Sequence, residues 1–229
     1  MAEVIVALDF PSGTDALRLV ERLGAGAGFY KVGLELYTRA GPSVVDALHT
    51  RKKRVFLDLK LHDIPNTVAG AVAAASDLGV DLLTLHAAGG RAMLEAARQA
   101  RRGRLALLGV TVLTSLSAED LGVVWGRVVT GLTTEVVRLA TTVKDAGLAG
   151  VVSAPAEVAS LRARFGSDFL LVAPGIRLPE SERGDQKRVA TPGEAVRSGA
   201  DYLVVGRAVT AAPDPLRALD AVHADMARG

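Results

Sequence analysis

Three charged residues, Asp58, Lys60 and Asp63, stand where the apolar run Val55-Phe56-Leu57 should end, at a spacing suited to charge and proton chemistry. The run reads as a buried strand, and strand side chains alternate between faces. Phe56, Asp58 and Lys60 then point one way, and Leu57, Leu59 and Leu61 the other. The leucine face can bury against helices. The opposite face brings a carboxylate and an ammonium side by side into an enclosed space, with Asp63 just beyond on the loop. Unpaired buried charge is strongly unfavourable, so such a cluster is either a fully paired structural unit or one kept for chemistry.

Lys31 lies between Phe29-Tyr30 and Val32-Gly33. Alone it reads as a strand-end lysine reaching solvent. Beside Asp9 and Asp58 it joins an alternating row, Lys31, Asp58, Lys60, Asp63, in which each charge favours the ionised form of its neighbours. Gly175 with Arg177, and Gly206 with Arg207, suggest a phosphate site. Glycine lets backbone N–H groups approach an anion, and arginine adds a fork of donors matched to phosphate oxygens. The polar stretch 178–189 is long for a strand-to-helix connection and reads as a lid, with Gln186 placed to reach a phosphate. His62 and His86 lack a ligand-pair spacing and read as structural or supporting groups. Ser153 has no Ser–His–Asp context, and Trp125 reads as a core or interface residue.

The elements that must position these groups alternate regularly. Strand-like runs occur at 4–8, 29–32, 55–59, 82–85, 105–112, 150–153, 170–173 and 202–205, each followed by a plausible helix. That is the arithmetic of a single-domain (β/α)8 TIM barrel over residues 1–229, with a doubly wound open sheet as the competitor. In a barrel the chemistry gathers at the C-terminal mouths of the strands. Those mouths read Asp9, Lys31, Asp58 with Lys60, His86, Thr114, Ser153, Arg177 and Arg207. Helix signals agree. Asn66 is positioned to cap a helix with Val68, Ala71, Val72, Ala75 and Leu78 on one face and Gly79 at its end. Thr191-Pro192-Gly193-Glu194 is a capping box. Asp214-Pro215 opens a last helix whose inner face is Leu216, Leu219, Val222 and Met226. A further amphipathic helix spans 134–146, closed by Gly147.

Composition narrows the function classes. The 229 residues are 49% hydrophobic and only 4% aromatic, so Val, Leu and Ala build the core. With 27 basic and 25 acidic residues the net charge is +2, and the basic residues are dispersed rather than set among aromatics. No nucleic-acid partner is indicated. No apolar stretch reaches the length of a membrane span, and the N-terminus reads as a first strand rather than a signal peptide, so a cytoplasmic protein is expected. The absence of cysteine excludes disulfides, thiolate metal sites and a cysteine nucleophile.

The stretch Asp58-Leu59-Lys60-Leu61-His62-Asp63-Ile64-Pro65-Asn66-Thr67 resembles the signature of the orotidine 5′-phosphate decarboxylase family, whose members catalyse the last step of UMP synthesis. Ala7-Leu8-Asp9-Phe10, Tyr30-Lys31-Val32-Gly33, Leu113-Thr114-Ser115, Pro174-Gly175-Ile176-Arg177, Asp185-Gln186-Lys187-Arg188 and Val205-Gly206-Arg207 extend the similarity in the family's order. The resemblance implies that Asp9 and Lys31 hold the ribose hydroxyls and that Lys31 also pairs with Asp58. It makes Lys60 the proton donor, and it has Asp63 and Thr67 reach into the neighbouring subunit of a homodimer. Thr114 would contact the pyrimidine, and Arg177, Gln186, Gly206 and Arg207 the phosphate. No cofactor is implied. Related metal-using sugar-phosphate decarboxylases share Asp-x-Lys-x-x-Asp but carry an acid at the position of Lys31, so no metal is expected either. A metal-dependent aldolase or decarboxylase on the same barrel, or a non-catalytic nucleotide-binding barrel, stays open as an alternative.

Overall fold

Eight parallel strands pair in chain order, and β8 returns to pair with β1, closing a barrel. The strands are β1 (Glu3–Ala7), β2 (Phe29–Gly33), β3 (Arg54–Leu61), β4 (Leu82–His86), β5 (Ala106–Val110), β6 (Gly150–Val152), β7 (Leu170–Ala173) and β8 (Tyr202–Val205). This is the (β/α)8 architecture expected from the alternation of strand and helix patterns, and not an open sheet. The computed structural model describes residues 2–178 and 188–229.

The helices form the outer ring. They are α1 (Gly13–Leu23), α2 (Leu34–Ala40), α3 (Ser43–Thr50), α4 (Pro65–Asp77), α5 (Gly90–Ala100), α6 (Ala118–Trp125), α7 (Leu132–Asp145), α8 (Pro155–Phe165), α9 (Pro192–Arg197), α10 (Arg207–Thr210) and α11 (Pro215–Met226). Among the described residues none is long and apolar enough to cross a membrane.

Strand alternation splits the core in two. Inward positions, including Ile5, Phe29, Phe56, Leu82, Leu108 and Val172, fill the barrel interior, whereas outward residues such as Val6, Tyr30, Leu57 and Leu83 pack under the helices. Phe29 and Phe56 are fully enclosed, and truncating a residue of this kind to alanine typically costs about 3–5 kcal/mol. This apolar floor matters because it blocks the barrel below the charged residues. Whatever binds must approach from the C-terminal mouth.

The capping signals are realised at Thr191, whose box with Glu194 is complete, and at Asp214, which accepts from the Arg217 N–H at 3.1 Å. Asn66 is not a cap. Pro65 takes the first helical position, where its missing N–H is no loss, and Ile64 occupies the cap position without a side-chain bond. Of the four residues expected on the inner face of α11, Leu219 and Val222 are buried, Met226 is half-buried, and Leu216 is 41% exposed. The fifth strand is shorter than the apolar run 105–112. The chain leaves the sheet after Val110, so that Val112 and Leu113 become wall residues of the cavity.

Candidate active site

The mouth of the barrel encloses a cavity of about 600 Å³, within the range of small-molecule sites. Asp9, Lys31, Asp58 and Lys60 line one side. Thr114, Arg177, Gly206 and Arg207 also line it, so strand mouths far apart in sequence converge on one volume. Gln186 lies outside the described residues, as does most of the stretch read as a lid.

The charge row is real within one chain, but its membership differs from the sequence expectation. Lys31 Nζ donates to Asp9 Oδ1 at 2.9 Å and sits 3.7 Å from Asp58 Oδ2. Lys60 Nζ donates to that same Asp58 oxygen at 2.8 Å. The order is therefore Asp9, Lys31, Asp58, Lys60. Asp63 does not extend it. Its side chain is exposed, and its Oδ1 accepts from the Ile64 N–H at 2.6 Å. Thr67, expected to share its role, is likewise exposed. Asp63 follows the end of β3, and Thr67 lies in the first turn of α4.

Burial opposes ionisation of Asp58. The ammonium groups of Lys31 and Lys60, with hydrogen bonds from Lys60 and Thr84, outweigh it and hold the carboxyl below its ordinary range. Burial likewise lowers the His86 pKa, reinforced by His62 and Lys60 and opposed by Asp58. The two histidine rings lie 5.4 Å apart beside this cluster, in keeping with a supporting role.

Lys60 reaches the cavity by an irregular route. Simple alternation places it on the face of Phe56 and Asp58, and it does reach that face. The β3–β4 register, however, shifts between Leu57 and Leu61, and Lys60 adopts φ 49°. A non-glycine residue in the left-handed region stores about 1–3 kcal/mol and persists only where its surroundings enforce it. Here the Lys60 N–H donates to Thr84 Oγ1 at 2.9 Å, and Thr84 Oγ1 donates to Asp58 Oδ1 at 2.8 Å. Thr84 is fully buried and fixes both members of the central pair. Sequence reasoning passed over it. The available signal was a single hydroxyl among the leucines of the run Leu82-Leu83-Thr84-Leu85.

Gly33 is a second residue that the motif reading did not explain. A methyl group there would fall 2.8 Å from Lys31 Nζ and 3.3 Å from Asp9 Oδ1, so the ion pair occupies the space a side chain would need. At the opposite wall Gly175 has φ 82°, a turn that suits glycine. Its carbonyl accepts from the Ala190 N–H at 3.2 Å, and the Arg177 N–H donates to the Ala190 carbonyl at 3.0 Å. Those bonds anchor the backbone that carries Arg177. At Gly206 a methyl would meet nothing nearer than Ala7 Cβ at 3.9 Å, so packing within the protein does not demand glycine and the space opens toward the cavity.

Among the described residues no group of three or more His, Asp or Glu side chains is arranged to hold a metal ion. The cavity carboxylates Asp9 and Asp58 instead have ammonium partners. The arrangement can hold a carboxylate and an ammonium charged, side by side, across the cavity from two arginines. It therefore suits an anionic substrate that gains further negative charge near Lys60.

A family model described as Orotidine 5′-phosphate decarboxylase / HUMPS family matches residues 2–222. A relative from Chromohalobacter salexigens, named orotidine 5′-phosphate decarboxylase, is 51% identical over 227 residues, covering 98% of this chain and 95% of its own. One of the same name from Moorella thermoacetica is 49% identical over 236 residues, covering 98% of this chain and 92% of its own. The crystal structure of orotidine 5′-phosphate decarboxylase from Lactobacillus acidophilus aligns with a TM-score of 0.86 at 36% identity, covering 98% of this chain and 99% of that one.

Proposed function

Since the chain belongs to the orotidine 5′-phosphate decarboxylase / HUMPS family, we propose that it converts orotidine 5′-phosphate to UMP and CO2, with Lys60 supplying the proton that replaces the carboxylate. The observation that carries this reading is the paired row of charges at the cavity wall, ending in Lys60 Nζ 2.8 Å from Asp58. Loss of CO2 leaves an electron pair on C6 of the pyrimidine, with no neighbouring carbonyl to delocalise it. The Lys60 ammonium beside C6 stabilises that developing charge and then transfers one proton to it. The new C–H bond takes the place of the broken C–C bond, and the neutral amine regains its proton from solvent. Asp58, one hydrogen bond away, lies near the substrate carboxylate, and their repulsion falls as CO2 departs. Electrostatic stabilisation by a preorganised site is the largest resource open to a protein that works without a cofactor.

Asp9 and Lys31 take the ribose hydroxyls, Thr114 the pyrimidine, and Arg177, Gln186, Gly206 and Arg207 the phosphate. Binding energy from the phosphate, remote from the reacting carbon, offsets the cost of enclosing the charges. Arg207→Ala is expected to weaken UMP binding roughly 10- to 100-fold, the loss of one or two charge-assisted hydrogen bonds, while leaving uridine binding unchanged. Calorimetric titration of both ligands checks it; equal losses for both would remove Arg207 from the phosphate site.

Lys31 also argues against a metal-dependent reaction, because an ammonium 3.7 Å from Asp58 opposes a divalent cation at that carboxylate. Full activity is expected in chelator-treated, metal-free buffer, followed by the absorbance change of orotidine 5′-phosphate. Activity lost to chelator and restored by a divalent ion would favour a metal-using sugar-phosphate enzyme on the same barrel. The working unit in this reading is a cytoplasmic homodimer in which Asp63 and Thr67 complete the partner's site. The exposure of both, beside Ile64 at 67% exposed, supports it.

A further inference from the structure

Arg188 serves no role in the reaction described above, yet its guanidinium is among the most enclosed in the protein. Its side chain is 13% exposed, and Nη1 pairs with Glu157 near the start of α8, itself only 3% exposed. Nη2 donates to two successive carbonyls beyond β5, Val112 at 3.4 Å and Leu113 at 3.2 Å. The second Glu157 oxygen accepts from the Ser153 hydroxyl, just past β6, at 3.4 Å. Nε is buried with no partner among the described residues. Two residues further on, Ala190 bridges Ile176 and bonds the backbone of Gly175 and Arg177. One guanidinium thus ties the mouths of β5, β6 and β7 together.

Those ties run directly behind the cavity. Val112, Leu113 and Ser153 line it, and Thr114 and Ser115 follow without a break. An enclosed ion pair is a weak source of stability, since apolar replacements of similar volume are often neutral or better. An apolar pair, however, cannot hold two consecutive carbonyls on a single point. A planar guanidinium can, because its donors are fixed in one fork.

We propose that Arg188, braced by Glu157, is a positioning residue for the pyrimidine end of the site. It sets the path of residues 112–115 so that Thr114 and Ser115 face the ring, while Arg177 serves the phosphate. The inference rests on the reading that the ligand is a pyrimidine nucleotide with its ring toward Thr114. Its readout is therefore a ratio of affinities, for UMP against ribose 5-phosphate, measured apart from turnover.

The test compares the full-length wild type with the double variant Glu157→Leu/Arg188→Met, which removes both charges, and with Arg188→Lys, which keeps a cation for Glu157 but loses the fork. Thermal midpoint, both affinities, and kcat and KM for orotidine 5′-phosphate are measured for each. The double variant should melt near the wild type and bind UMP roughly 10- to 100-fold more weakly, with ribose 5-phosphate affinity unchanged and kcat/KM reduced at least as far. Arg188→Lys should shift the ratio in the same direction, and it decides the matter if the double variant does not fold. Wild-type affinity ratios in the folded variants, or equal losses for both ligands, would overturn the inference. A wild type that binds UMP but releases no CO2 would instead overturn the proposed reaction and leave the ratio readable.

Discussion

Lys60→Ala should abolish measurable decarboxylation while the folded protein still binds UMP. One ammonium about 4 Å from a developing anion, at an effective dielectric near 20, contributes about 4 kcal/mol, roughly a thousandfold in rate. Removing the proton donor as well takes away a further ~10²–10⁴. The combined loss, on the order of 10⁵ or more, exceeds the range of an ordinary absorbance assay. Folding should survive, because Lys60 is the more exposed member of its pair. Asp58 keeps the Thr84 hydroxyl and has Lys31 at 3.7 Å. UMP has no carboxylate at C6 and makes no demand on the missing group. Turnover within tenfold of the wild type would exclude Lys60 as the acid. Lost UMP binding in a folded variant would show that Lys60 serves affinity rather than the chemical step.

Mixing two inactive variants should restore activity. Among the described residues the Asp63 side chain is exposed and accepts a hydrogen bond from its own neighbour Ile64, so in the proposed homodimer its effect on catalysis is expected in the partner's site. Asp63→Ala and Lys60→Ala homodimers each carry the same defect at both sites. In a mixed dimer one site has both defects, and the other combines an intact Lys60 with an intact partner Asp63. Random pairing of equal amounts makes about half the dimers mixed, so about a quarter of all sites should work in a symmetric C2 assembly. Activity of co-expressed, differently tagged variants, compared with the sum of the separate homodimers, is the measurement. A mixture no more active than that sum would confine Asp63 to its own chain, or to no role.

Several features of the site were legible from residue order. The alternation of β3 placed Phe56, Asp58 and Lys60 on one face, and the polar strand ends pointed to the cavity. Each signal is local, requiring only a strand's two-residue period or a helix's cap. The readings that failed were also local ones, overruled by neighbours. Asn66 lost the cap position to the geometry of Pro65, and Leu216 fits the helical period of α11 but faces outward. Asp63 follows the charge pattern of β3, but the chain has already turned away from the cavity before reaching it.

The order of strands and helices, the choice of an anionic ligand and the identity of the carboxylate and ammonium groups were determined by the sequence alone, because hydrophobic period and charge are properties of short segments. Closure of the barrel decided the rest. Thr84 meets Asp58 across 26 positions. Arg188 meets Leu113 across 75. Lys60 takes up a left-handed backbone that no lysine prefers in isolation. Such contacts depend on the stagger of strands around a closed ring, and that stagger is set by the packing of the whole barrel rather than by any segment of it.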